Sequence, residues 1–78
     1  MNIILTDRST ITLSQEEMNH PDFQKGMRVA REGGLRGSMW RLESFTPAAW
    51  IGYHAVLGMN TLKTEEEVHR ALAVVPPA

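Results

Sequence analysis

From Ser44 to Leu62 the chain carries no Asp, Glu, Lys or Arg, and this run sets the problem that any fold must solve. Within it, Thr46 stands where an N-cap belongs, Pro47 suits a first helical position and Gly58 supplies a stop. Phe45 and Trp50 fall at the spacing of a hydrophobic staple. The predicted helix, Pro47 to about Leu57, carries Trp50, His54 and Leu57 along one side. Ala49, Tyr53 and Val56 follow a second side, and Ile51 and Ala55 a third. A helix apolar all round needs cover on every side.

Cover is scarce. The 78 residues make one domain, 1–78. A domain of this size buries only about 60% of the surface its unfolded chain exposes. The helix is therefore either a wrapped central core or, in part, a docking surface whose simplest partner is a second copy of the chain. Trp and Tyr dominate interface hot spots, which favours docking. The expected contact residues are Trp50, Tyr53, His54 and Leu57, with Trp40 as an outlying anchor.

The rest of the sequence supplies the other elements. Ile3-Ile4-Leu5 and Thr10-Ile11-Thr12-Leu13 alternate about the turn-prone Thr6-Asp7-Arg8-Ser9, which predicts a β-hairpin with Ile11 and Leu13 on one face. Ser14-Gln15-Glu16-Glu17 has capping-box form, but Pro21 limits that helix to one turn. A second helix restarts near Asn19 or His20, buries Phe23, Met27 and Ala30, and ends at Gly33-Gly34. Gly26 inside it costs about 1 kcal/mol relative to alanine. Residues 38–43 alternate well enough for a third short strand, although a loop fits as well. Thr64-Glu65-Glu66-Glu67 opens a last helix with the stripe Val68, Leu72 and Val75, closed by Pro76-Pro77. The expected fold is a small α+β domain, an N-terminal hairpin packed with three short helices.

Composition narrows function more than it identifies it. Cysteine is absent, so disulfides and thiolate metal sites are excluded. The start, MNIILTDRST, lacks the basic end and long apolar run of a secretory signal. The uncharged run contains Pro47, Gly52, His54, Gly58 and Asn60 and makes a poor membrane span. A cytoplasmic protein with no membrane partner is expected.

Formal net charge is −1, yet Lys25, Arg28, Arg31, Arg36 and Arg41 gather five of the eight basic residues in one segment. With Trp40 and the backbone of Gly33, Gly34, Gly37 and Ser38, that segment offers an alternative site for anions or nucleic acid. An ordinary solvated face, balanced by Glu16, Glu17 and Asp22, explains the same residues and is favoured.

Catalysis finds little footing. His20, His54 and His69 lie on three segments in no metal-ligand pattern, and no serine sits in a nucleophile elbow. His20 reads as part of a helix entry, His54 as an interior or interface histidine, and His69 as solvated. No enzyme activity, metal or cofactor is expected. The succession Gly26, Ala30, Gly34 and then Trp50-Ile51-Gly52-Tyr53 resembles the small ribosome-modulation factors over a minority of the chain. Those proteins are strongly basic and this chain is not, so the resemblance implies no function here. The expected function is a small regulatory or adaptor protein working through protein–protein contacts, as a homodimer. It would act as an inhibitor or modulator of a larger machine, in the manner of phage or plasmid accessory proteins.

Overall fold

The chain opens with an antiparallel hairpin in which β1 (Asn2–Ile4) pairs with β2 (Thr10–Thr12), Ile3 lying opposite Ile11. The computed structural model describes residues 1–33 and 45–73. Strand alternation sends Ile3 and Ile11 inward, with Leu5 and Leu13 on the same parity, and leaves Thr10 and Thr12 in solvent. Asp7 builds the turn by accepting bonds from the Ser9 hydroxyl and from the Ser9 N–H, the latter at 2.9 Å. These bonds, the hydroxyl first, hold the Asp7 carboxyl below its ordinary range.

The described residues form four helices: α1 (Gln15–Met18), α2 (Pro21–Arg31), α3 (Pro47–Leu57) and α4 (Glu65–Ala71). Each start is satisfied by a side chain. Ser14 and Glu17 form a reciprocal capping box at α1. The His20 ring caps α2, its Nδ1 accepting from the Asp22 N–H at 3.1 Å. Thr46 caps α3 and Thr64 caps α4, as their positions in the sequence foretell. Gly58 ends α3 in the left-handed region, with φ 69°.

The last helix is shorter than its apolar stripe suggests. It stops at Ala71, with Leu72 as cap, and Ala73 reaches back to the Arg70 carbonyl in a tighter turn. Val75, the last member of the expected stripe, lies outside the described residues. Residues 38–43, whose alternation allows a third strand, lie outside the described residues. An extended contact does occur elsewhere. Residues 60–63 run along β1 through a parallel bridge from Asn60 to Ile4, with Thr61 N–H donating to the Ile4 carbonyl and Thr6 N–H to the Lys63 carbonyl.

The result is a small α+β domain with α3 at its centre. On one side of α3, Ala48 and Ile51 join Ile3, Leu5, Leu13, Phe23, Met27, Val68 and Leu72 in the main core. On the other, Ala49 packs with Val29 and Phe45. The contact between α2 and α3 is close enough to require glycine at two reciprocal points. A Cβ on Gly26 would stand 1.8 Å from the Ala49 carbonyl oxygen, and one on Gly52 would stand 2.2 Å from that of Phe23. Gly26, a defect by helix propensity, is thus the notch that admits α3.

Candidate functional site

The staple at the start of α3 forms as its spacing requires, and it seeds an aromatic cluster. The Phe45 and Trp50 rings meet edge to face with centroids 4.9 Å apart. Tyr53 closes the group at 5.7 Å from Trp50 and 6.1 Å from Phe45, again edge to face. Such pairs contribute about 0.5–1.5 kcal/mol each beyond the area they bury. Phe45 is buried, whereas Trp50, Tyr53 and His54 are half-buried, so the cluster is anchored from beneath and open above.

Three of the four residues expected on one contact surface therefore stand together. The fourth, Leu57, lies one turn beyond His54 and is 45% exposed. Among the described residues the exposed large hydrophobics are Met1, Leu57, Met59 and Leu62, and three of these follow His54 directly. Leu62 is the most exposed at 76%, and its backbone is held at φ 58°, a region that leucine enters at a cost of roughly 1–2 kcal/mol. Asn60 maintains that conformation, accepting from the Leu62 N–H at 2.7 Å and donating to the Leu5 carbonyl at 2.7 Å. Met59 and Leu62 were not among the expected contacts. The sequence signal that could have found them is two large apolar residues in a loop otherwise made of turn formers.

His54 sits against this cluster, its ring 5.6 Å from Trp50 and 5.8 Å from Tyr53. Its Nδ1 is buried and meets no hydrogen-bond partner among the described residues. Burial first, and the nearby Lys63 ammonium second, hold its pKa below the ordinary value.

The basic residues divide. Arg28 and Arg31 are exposed in the last turn of α2, where cations complement the helix dipole whether or not a ligand is present, and Lys25 is half-buried. Arg36, Arg41 and Trp40 lie outside the described residues. Among the described residues, two open depressions of about 300 and 330 Å³ include none of the aromatic cluster in their linings. The first is lined by Leu5, Thr6, Asp7, Ser9, Thr64 and Glu65, the second by Pro47, Lys63, Glu67, Arg70 and Ala71. No group of three His, Asp or Glu side chains among the described residues is placed to hold a metal ion. No described helix is long and apolar enough to cross a membrane.

His69 is exposed, as expected, but it is not merely solvated. Its Nδ1 bonds the Glu17 carboxylate at 2.5 Å, tying α4 to α1, and its Nε2 lies 3.6 Å from Glu65. The Glu17 bond raises the His69 pKa above its ordinary value. Partial burial opposes ionisation of Glu17, but the bonds from Ser14 and His69 outweigh it and keep the carboxyl below its usual range. The His69 contribution is complete below the ordinary histidine value and fades as pH rises through the raised one. That of Glu17 is complete above the ordinary carboxylate value and fades as pH falls through the lowered one. The tie is therefore strongest at mildly acidic pH. His69→Gln should lower stability there by about 1 kcal/mol or less, as for exposed pairs generally, and leave it unchanged at alkaline pH. Urea midpoints at the two pH values check this, and an equal loss at both would refute it.

The fold and its open side together define a small α+β domain with an apolar, aromatic surface. No protein-family model, curated protein or solved structure matches the chain.

Proposed function

We propose that the chain is a small non-enzymatic regulatory or adaptor protein, a modulator of a larger machine, and that it pairs with a second copy of itself through the open side of α3. The observation that carries this is the distribution of exposed apolar side chains. Within residues 50–62 the chain leaves Leu57, Met59 and Leu62 exposed and Trp50, Tyr53 and His54 half-buried. Concentrated apolar exposure of this kind marks contact surfaces, and the aromatic types present are those that supply hot spots. Leu62 strengthens the reading, because the left-handed turn that ties this segment to β1 would be filled at lower cost by Asn or Gly than by an exposed leucine.

Two substitutions separate association from folding. Leu57→Glu places a charge at the open end of α3. Leu62→Asn suits the left-handed backbone better than leucine and so leaves the fold at least as stable. Light scattering on a sizing column should give a dimer for the parent chain and a monomer for both variants, with the helical circular dichroism spectrum retained. A parent chain that stays monomeric at every concentration, or variants that remain dimeric, would overturn the proposal.

A further inference from the structure

We propose that His54 makes the aromatic side of α3 acid-sensitive, its protonation driving the ring out of the cluster and exposing the half-buried Trp50 and Tyr53 further. The geometry supplies the reason. A neutral imidazole needs one donor and one acceptor partner, whereas the protonated ring donates from both nitrogens. The Nδ1 of His54 is buried with no partner among the described residues, so a proton there gains charge without an acceptor.

The surrounding groups oppose that charge further. Lys63, in the segment after α3, is the charged side chain that acts on His54, and it is a cation. Tyr53 is the titratable neighbour on the same helix. α2 crosses α3 on the side of Gly26 and Gly52, and the charged residues it carries nearest that crossing, Lys25 and Arg28, are also cations. One attraction works the other way. The Trp50 ring, 5.6 Å off and tilted 33°, could hold an imidazolium by cation–π contact. That contact is weaker than the penalty for burying an unpaired charge, so it does not compensate the stranded Nδ1 proton. The low pKa of His54 agrees with this balance.

The experiment follows Trp50 emission in a Trp40→Phe background, together with the His54 imidazole signals by NMR, as pH falls from neutral to mildly acidic. The midpoint for His54 should lie below the ordinary value of 6.5, and Trp50 emission should shift to the red along the same curve. His54→Gln should remove the emission step. Lys63→Gln, which keeps the backbone bonds of that segment, should move the midpoint upward. An emission step that survives His54→Gln, or a His54 titration that leaves Trp50 emission flat, would overturn the proposal. These readouts are taken on dilute protein and stand or fall independently of self-association.

Discussion

Gly26→Ala should destabilise the domain by roughly 3 kcal/mol, the upper end of the usual cost of overpacking a core. The sign is the point of interest. In an isolated helix the same change would stabilise by about 1 kcal/mol, because alanine is the better helix former. Here the added methyl would lie 1.8 Å from the Ala49 carbonyl oxygen, 2.7 Å from its carbon and 2.9 Å from the Tyr53 nitrogen. All three are backbone atoms, which no rotamer change can move aside. The helices must separate, and the cores on both sides of α3 loosen with them. Gly52→Ala meets the Phe23 carbonyl oxygen at 2.2 Å and should act in the same direction. Urea unfolding reads the effect as a lowered midpoint at unchanged slope. A raised midpoint for Gly26→Ala would mean that the close crossing is wrong.

Phe23→Ala should be as damaging for the opposite reason. Phe23 is fully buried and belongs to the core that joins the hairpin, α2, α3 and α4. Truncating a buried phenylalanine costs about 3–5 kcal/mol through lost transfer energy and the cavity left behind. A domain of this length holds roughly 4–12 kcal/mol in all, at 0.05–0.15 kcal/mol per residue. The variant should therefore lose a large share of its stability, and at the lower end of that range be largely unfolded at room temperature, with collapsed methyl dispersion in its proton NMR spectrum. Retention of a sharp native spectrum and a midpoint near the parent's would show that the core does not converge on this ring.

Most of the local structure is legible in the sequence because its signals are short-range. Ser14 with Glu17, Thr46 with Pro47, Thr64 with its three glutamates and Gly58 each fix a helix end through bonds to neighbours a few residues away. The alternation of Ile3 and Leu5 against Ile11 and Leu13 fixes the inward face of the hairpin in the same way. What escapes is set by partners distant in the chain. Gly26 reads as a weak helix residue until Ala49 is seen against it. The pairing of Ile4 with Asn60 spans most of the domain and has no periodicity to announce it. His69 reads as solvated because Glu17 lies far upstream.

The candidate site divides along the same line. Trp50, Tyr53 and His54 share a side of α3 by helical spacing alone, so sequence places them together. Their exposure is another matter, since it depends on which sides α2 and the hairpin take. Those elements cover Ala48, Ala49, Ile51 and Gly52 and leave the aromatic side half open. The helix thus serves as central core along one side and offers a surface along the other.

In the pairing we propose, this surface is half open in the single chain and closes when two chains meet. Acrylamide quenching of Trp50 in the Trp40→Phe background, measured from nanomolar to high micromolar protein at neutral pH, tests it most directly. Quenching should be measurable in dilute solution and fall as concentration rises, with no such fall for Leu57→Glu. Quenching that is the same at every concentration would contradict it.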